Sequence, residues 1–169
     1  MARPLEGARD LDPLMERIGE ARYVLLGEAS HGTADYYNWR ATLSKRLITE
    51  KGFSFLAVEG DWPDCYLINR YVKGLPDAGE SARDVLYNFH RWPTWMWANE
   101  EIVEFAGWLR RHNDDQPPTG RVGFYGLDVY SLWDSLYQVA SYLRKTGGKA
   151  TEAARAALRC FEPHGEDEQ

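Results

Sequence analysis

Apolar side chains recur along the chain in two patterns, which predict three buried strands separated by amphipathic helices. The strands are short apolar runs at residues 23–27, 53–58 and 121–127, with the sequences YVLLG, FSFLAV and RVGFYGL. Such runs are typical of strands that are buried on both faces. Apolar residues at intervals of three and four predict helices, which lie at residues 10–20, 33–51, 65–72, 81–90, 94–112 and 131–145.

Residues at the helix ends support this order of elements. Thr33 or Ser30 can cap the helix that runs to Lys51, Gly52 follows as its C-terminal stop, and Asp64 is a candidate cap for the next helix. The helix between the first two strands makes them a βαβ unit with parallel strands and a right-handed crossover. The predicted fold class is therefore α/β, with a parallel β-sheet built from βαβ units and flanked by helices.

Composition and charge narrow the range of partners. The chain has 169 residues and a formal net charge of -6 at pH 7, which argues against nucleic acid or an anionic membrane as a partner. Cys65 and Cys160 fit no metal-ligand or redox spacing, so they are interpreted as reduced thiols. The first residues are charged, and no apolar run approaches the ~20 residues of a membrane span. We therefore expect a cytoplasmic protein.

Each predicted strand is followed by an acidic residue, and these are Glu28, Glu59 and Asp128. In an open parallel sheet, ligands bind beyond the carboxyl ends of the strands, so the three acids are expected to converge there. His31 lies near the start of a helix, where the macrodipole disfavours the charged imidazole. A neutral imidazole beside carboxylates fits a general base that acts on water.

Other interpretations of these residues stay open. Glu28 and Glu59 are also suited to capping helices or pairing with arginines at the rim of the sheet, and His31 to a structural role. With Asp61 they offer donors for manganese or zinc, although the strict ligand spacing is missing. Ser30 does not match the Gly-x-Ser-x-Gly elbow of serine hydrolases, because position 28 is glutamate. The glycines form no dinucleotide fingerprint, so no cofactor is expected.

Seven tryptophans are many for a chain of this size, and several lie near the predicted strand ends. Trp62, Trp92, Trp95 and Trp97 are either core residues or the lining of a pocket for an apolar ligand. Large rings with one polar atom give contact area at small entropic cost, so we assign these four residues to substrate binding, together with Asp128.

Four segments carry a resemblance to a known family. In order they read LLGEASHGT, FLAVEGDWPDCYLINRYV, RWPTWMWANEEIVEFAGWLR and VGFYGLDVYSL. This series, from about residue 23 to residue 143, resembles the motifs of the erythromycin esterase family, which also contains relatives described as succinoglycan biosynthesis proteins. The resemblance implies an α/β hydrolase that opens the lactone ester of macrolide antibiotics, and thus a link to antibiotic resistance. It implies neither a metal nor a covalent serine intermediate.

The resemblance also implies roles for individual residues. His31 matches the general base that activates water, Glu28 matches the catalytic acidic residue, and Glu59 matches the second essential glutamate. Arg40 matches an active-site arginine. Two turns into its helix, its guanidinium is expected to reach over the cleft and to stabilise the developing oxyanion.

The chain is much shorter than members of this family, whose second half supplies a further active-site histidine and a helical region over the cleft. Residues 1–146 are therefore interpreted as the N-terminal part of the α/β domain, and residues 147–169 as a C-terminal helix and acidic tail. A thin sheet with an exposed edge favours pairing between copies, and hence a homo-oligomer. Two functions stay open: an esterase for a small-molecule ester, and a catalytically incomplete module that binds a ligand, a metal or a protein.

Overall fold

The computed structural model describes residues 4–87, 89, 93–128, 130–147, 151–152, 156 and 159. Trp92, Cys160, the acidic tail and most of the alanine-rich segment lie outside this part of the chain. The elements within it are α1 (Asp12–Ile18), α2 (Ala34–Lys51), β1 (Phe55–Asp61), α3 (Trp62–Val72), α4 (Ala82–Leu86), α5 (Glu100–Asp114), β2 (Gly123–Asp128) and α6 (Leu132–Thr146).

Strands β1 and β2 pair in parallel, with Phe55 beside Gly123 and Val58 beside Gly126. The register then shifts, so that Asp61 lies beside Asp128 at the carboxyl ends. Helices pack against this sheet, and the predicted α/β class with a parallel sheet is confirmed. Both strands begin two residues later in the chain than predicted. Glu59 and Asp128, which were expected to follow the strands, therefore lie within them.

The predicted strand at residues 23–27 is wrong. These residues form no strand in the structure, and residues 22–27 make no backbone-to-backbone hydrogen bond with any described residue. Their burial nevertheless alternates: Val24 and Leu26 are half-buried against α1 and α2, whereas Tyr23 and Leu25 are exposed. A short apolar run predicted a strand buried on both faces here, but such a run does not supply the neighbouring backbone that a strand needs.

Several helix ends also differ from the predictions. Helix α2 begins after Thr33 and ends at Gly52, whose φ of 71° is left-handed, as expected of a C-terminal stop. Asp61, rather than Asp64, lies at the N-cap of α3. Helix α4 is only five residues long, and the predicted helix at 94–112 is split into a short 3-10 turn and α5. The side chain of Asn99 caps α5 by accepting from the Ile102 amide at 2.9 Å.

The main core lies between the sheet and helices α3 and α5. Ile68, Val72, Leu109 and Phe124 are almost completely buried there. A second, smaller cluster joins α1 to α2. None of the helices in the described part of the chain has both the length and the apolar character needed to cross a bilayer.

Two buried asparagines bond backbone groups at the start of the outer edge of β2. The Asn113 side chain donates to the carbonyls of Val72 and Val122 at 2.8 and 2.9 Å, and it accepts from the Val122 amide at 2.8 Å. The Asn69 side chain accepts from the Phe124 amide at 3.1 Å. Side chains from α5 and α3 thus bond the Phe124 amide and both backbone groups of Val122, the residue before β2, on the side that points away from β1.

Candidate active site

Glu28 lies at the centre of the candidate site, between a base and a cation. Its side chain is 91% buried, with 9% exposed, and it receives a hydrogen bond from His31 Nδ1 on one oxygen and from Arg40 Nη1 on the other. Arg40 reaches Glu28 from the second turn of α2, the helix that the turn at residues 28–33 leads into. A buried carboxylate is stable here because both of its oxygens have charged or polar donors.

His31 faces a second carboxylate with its other ring nitrogen. His31 Nε2 lies 3.8 Å from Glu59 Oε2, beyond the length of a direct hydrogen bond. Glu59 stands on β1, and its carbonyl accepts from Trp97 Nε1 at 2.8 Å. An ionised carboxylate only accepts hydrogen bonds, so Glu28 selects the tautomer that carries the proton on Nδ1. Nε2 is then an acceptor that faces the Glu59 carboxylate.

The turn that carries His31 depends on a glycine. Gly32 has a φ of 79°, and a Cβ at this position would lie 3.0 Å from the Trp95 ring. Glycine is the residue that adopts this backbone conformation without strain and also leaves room for the ring. Trp95 therefore packs on the turn, while 46% of its surface remains exposed.

Two aspartates lie side by side at the carboxyl ends of the strands. Asp61 accepts from the Ser131 amide at 3.2 Å, and Asp128 has one buried oxygen, Oδ2, without a hydrogen-bond partner among the described residues. Burial raises the pKa of Asp128, and the charges of Glu59 and Asp61 raise it further. Asp128 thus lies close enough to Glu59 for the charges of the two carboxylates to interact.

The tryptophans assigned to substrate binding lie in different surroundings. Trp62 is partly exposed at the start of α3 and stacks on Tyr66, with ring centroids 5.4 Å apart. Trp95 is partly exposed beside the turn, as described above. Trp97 is 93% buried, being only 7% exposed, and its ring nitrogen bonds to the Glu59 carbonyl. Trp97 therefore supports the position of Glu59, and little of its ring is available to a ligand.

Other nucleophiles and ligands fit this site less well. Burial raises the pKa of the Cys65 thiol, which packs beneath Gly60 and stays protonated. Ser30 Oγ lies 3.3 Å from Thr33 Oγ1 and has no bond to His31 in the structure. Among the described residues, His, Cys, Asp and Glu side chains form no group of three or more that is placed to hold a metal ion.

Sequence reasoning placed these residues together but missed two of their contacts. Arg40 was expected to face the substrate, whereas its guanidinium bonds to Glu28. Tyr37 was not singled out, yet its ring lies 5.9 Å from the Arg40 guanidinium, and its hydroxyl donates to the Met96 carbonyl at 2.7 Å. The spacing of three residues between Tyr37 and Arg40 in α2 was the available signal for this contact.

The fold and the site together define an α/β protein with an acid–histidine group at the carboxyl end of a parallel strand. A family model for erythromycin esterase matches residues 48–169. The chain therefore belongs to the erythromycin esterase family. The matched range contains Glu59 and Asp128, whereas Glu28, His31 and Arg40 precede it.

Curated relatives and solved structures agree with this assignment. Erythromycin esterase type II of Escherichia coli is 28% identical over 126 residues, which are 75% of this chain and 28% of that protein. The putative hydrolase YbfO of Bacillus subtilis (strain 168) is 24% identical over 144 residues, 83% of this chain and 30% of that protein.

The solved structures show the same fold. A succinoglycan biosynthesis protein superposes with a TM-score of 0.71 at 27% identity, covering 95% of this chain and 39% of its own. A Bacillus cereus protein gives a TM-score of 0.71 at 24% identity, covering 94% of this chain and 37% of its own. The chain thus spans less than a third of the curated relatives and less than two fifths of these solved chains.

Proposed function

We propose that this protein hydrolyses an ester by activating a water molecule with His31. The observation that carries the proposal is the series Arg40, Glu28, His31 and Glu59, in which each side chain faces the next. His31 Nε2 and Glu59 Oε2 are both acceptors and point toward each other at 3.8 Å. A group that donates two hydrogen bonds, such as water, fits beside both atoms. Membership of the family and the hydrolase relatives support the same chemistry.

In the proposed reaction, the water gives a proton to His31 Nε2 while its oxygen attacks the ester carbonyl carbon. The tetrahedral intermediate then collapses, and the imidazolium returns the proton to the departing alkoxide, giving an acid and an alcohol. Glu28 accepts from Nδ1 throughout and stabilises the imidazolium. Arg40 keeps Glu28 in place, and this role follows from its contact with Glu28 rather than from contact with the substrate.

Glu59 orients the water in this proposal. The bond from Trp97 to the Glu59 carbonyl keeps this part of β1 in position. Asp128 lies beside Asp61 at the carboxyl ends of the strands, and this position suits contact with a polar group of the substrate. The exposed faces of Trp62 and Trp95 offer apolar surface for the rest of the ester. Trp92 was assigned to the same surface and lies outside the described residues.

A macrolide lactone is the first substrate to test, because the Escherichia coli relative is named an erythromycin esterase. Antibiotic resistance is the corresponding biological role. The second candidate is a module that binds an apolar ligand without turning it over. The observation that favours it is the partly exposed rings of Trp62 and Trp95, which offer apolar contact area whether or not the ligand is hydrolysed.

Time-resolved mass spectrometry of the purified chain with erythromycin tests the proposal. We expect a product heavier by one water, and its formation should slow at least ~100-fold in His31→Asn, since the base is removed. His112→Asn is the matched control. His112 stacks on Trp108 in α5 at 5.3 Å and touches none of the site residues, so its loss should leave the rate unchanged.

Circular dichroism establishes that each variant is folded. A panel of apolar esters, including other lactones, extends the assay if erythromycin is not opened. Equal rates in wild type and His31→Asn would contradict the mechanism. A second outcome would favour the binding module over the esterase. In that outcome the folded wild type hydrolyses no ester of the panel, and wild type and His31→Asn bind erythromycin equally well.

A further inference from the structure

Residues 94–97, a 3-10 turn and its C-cap, contact both halves of the candidate site, and we call them the 94–97 turn. Trp97 Nε1 donates a hydrogen bond to the Glu59 carbonyl at 2.8 Å. The Trp95 ring packs on Gly32, where a Cβ would lie only 3.0 Å from it, and Gly32 directly follows the proposed base. One short turn therefore contacts the strand that carries Glu59 and the loop that carries the base.

Hydrogen bonds from two helices hold this turn. The Tyr37 hydroxyl, on α2, donates to the Met96 carbonyl at 2.7 Å. The Asn99 side-chain amide, at the start of α5, donates to the same carbonyl at 3.2 Å and to the Trp95 carbonyl at 3.1 Å. Hydrogen bonds have preferred distances and angles, so they fix the position of the turn more narrowly than apolar packing alone would.

Tyr37 also contacts the part of the site that carries the base. Its ring lies 5.9 Å from the Arg40 guanidinium, which bonds to Glu28. Burial raises the pKa of Tyr37, and a hydrogen bond from the Gly32 amide opposes that effect, which places this amide beside the Tyr37 hydroxyl. Tyr37 is only 4% exposed, so water has little access to these contacts. The hydroxyl thus lies between the base-bearing loop and the Met96 carbonyl.

We propose that Tyr37 is a positioning residue that holds His31 and Glu59 at their observed separation, acting through the 94–97 turn. Two hydrogen bonds make up the path from its hydroxyl to Glu59. The first runs from Tyr37 into the turn, and the second from Trp97 to the Glu59 carbonyl. The Tyr37 and Trp97 rings also meet edge to face, with centroids 6.5 Å apart.

The catalytic part of this inference rests on the proposed function, in which one water bonds to both His31 Nε2 and Glu59 Oε2. These atoms are 3.8 Å apart, and a water reaches both only within a narrow range of separations. Backbone pairing does not set this separation in the described chain, since residues 22–27 make no backbone-to-backbone hydrogen bond there. The contacts of Tyr37 and the 94–97 turn are present in the structure and supply the link.

Tyr37→Phe removes the hydroxyl and keeps the ring, and Tyr71→Phe is its matched control. Tyr71 is also a buried tyrosine, 9% exposed, and the Arg110 guanidinium lies 5.7 Å from its ring. Its hydroxyl, however, makes no hydrogen bond to any described residue of the site. A change that appears in Tyr37→Phe alone therefore reflects the contacts of its hydroxyl rather than the loss of a buried hydroxyl in general.

Hydrogen exchange and ring signals, measured by NMR on the full chain, compare the two variants. In Tyr37→Phe we expect the Trp97 indole Nε1 proton to exchange at least ~10-fold faster, because its bond to the strand is no longer held in place. The His31 ring proton signals should shift as well, because the separation between the imidazole and the facing carboxylate changes. Tyr71→Phe should change neither observable.

The Val122 amide is the internal reference. It is bonded to the buried Asn113 side chain at 2.8 Å, so its exchange reports opening of the whole fold rather than of the site. An indole proton in Tyr37→Phe that keeps its wild-type protection relative to Val122, or His31 signals that stay at their wild-type positions, would overturn the proposal. Equal changes in Tyr71→Phe would also overturn it.

Trp97→Phe is a second variant, which keeps an aromatic ring and removes the Nε1 donor. It interrupts the same path one step closer to Glu59 and should shift the same His31 signals. The proposal is therefore tested even if Tyr37→Phe does not fold, and unshifted His31 signals in a folded Trp97→Phe would contradict it.

Turnover separates positioning from substrate binding. Tyr37→Phe should lower kcat for a hydrolysed ester at least ~10-fold and leave KM unchanged, because it misplaces the base and the carboxylate without touching the substrate. A raised KM with unchanged kcat would overturn the positioning role. A chain that shows the NMR changes but hydrolyses no ester would contradict only the proposed function.

Discussion

The two edges of β1 differ in what lies beside them. On one edge, β2 pairs in register from Phe55 beside Gly123 onward. On the other edge, the apolar run of residues 23–27 lies across a cleft of about 990 Å³ and makes no backbone-to-backbone hydrogen bond with any residue that the structure describes. Both neighbours are short apolar runs of the same type. Apolar character alone therefore does not decide which run becomes a strand.

The difference follows from the hydrogen-bond partners that β2 and the 23–27 run find on the side away from β1. The outward amides of Val122 and Phe124 are bonded by Asn113 and Asn69, so β2 has partners on both sides. In the described chain, residues 22–27 have no equivalent side chain that bonds their backbone. A strand in an apolar environment needs partners for its backbone groups, because leaving them unpaired is costly.

The largest effect is expected when the Asn113 side chain, which bonds the backbone beside β2, is removed. Asn113→Ala should lower the free energy of unfolding by about 4 kcal/mol, since one buried amide and two carbonyls lose their bonds at ~1–3 kcal/mol each. Urea unfolding measures this loss. Asn38→Ala, at an exposed position on α2, should change it by less than about 0.5 kcal/mol. A loss below about 1 kcal/mol in Asn113→Ala would mean that another contact secures β2.

A pair of glycines compares the two neighbours directly. A Cβ on Gly126 would overlap the Gly60 carbonyl and lie 2.7 Å from the Asp61 carbonyl, whereas a Cβ on Gly27 would meet no atom within 4 Å. Gly126→Ala should therefore cost about 2 kcal/mol of stability, and Gly27→Ala less than about 0.5 kcal/mol. Thermal and urea unfolding measure both. Equal losses would show that Gly27 lies against backbone in solution, as Gly126 does.

The smallest effect concerns the end of the sheet, where both strands stop. The pKa of Asp128 is raised in the folded protein, so the native state binds its proton more tightly than the unfolded state does. Wild-type stability therefore falls as pH rises from the ordinary aspartate pKa through the raised folded value. Asp128→Asn should have the same melting temperature as the wild type at low pH. Above the raised pKa of Asp128, its melting temperature should be higher than that of the wild type.

A pH series of melting curves for both proteins measures the difference. Asp134→Asn is the control, because it removes an exposed carboxylate from the first turn of α6, where the helix dipole favours it. This control should give no gain at any pH. A gain in Asp128→Asn that is already present at low pH would point to a cause other than the charge of Asp128.

Local rules predicted the parts of the fold that depend on neighbouring residues. Helix α2 begins after Thr33 and stops at Gly52 as expected, because the left-handed glycine acts within one turn, whereas the Thr33 side chain makes no capping hydrogen bond. The strand at 23–27 was wrong because an apolar run does not show whether a neighbouring backbone pairs with it. Helix α4 is also shorter than predicted, because the helical spacing of apolar residues at 81–90 does not show where the helix stops. Only Ala82–Leu86 are helical.

The candidate site was predictable in membership but not in contacts. The acids at the strand ends and His31 could be placed together, because parallel strands direct their carboxyl ends to one edge. The partner of Arg40 could not be read from spacing, since a long side chain on α2 can reach either Glu28 or the open cleft. Likewise, the sequence does not distinguish the buried Trp97 from the half-exposed Trp95 two residues earlier.

The asparagines beside β2 also determine how the sheet can be extended. A primary amide has the donor and the acceptor of a peptide group, so Asn113 and Asn69 occupy the positions that an added strand would need. Among the described residues, these two side chains block strand addition at the start of β2, whereas the backbone groups of Phe55 and Ala57 on β1 have no such cover. If partly unfolded chains aggregate through this sheet, the edge of Phe55 and Ala57 is the more open one, and charged substitutions there are the direct means of improving solubility.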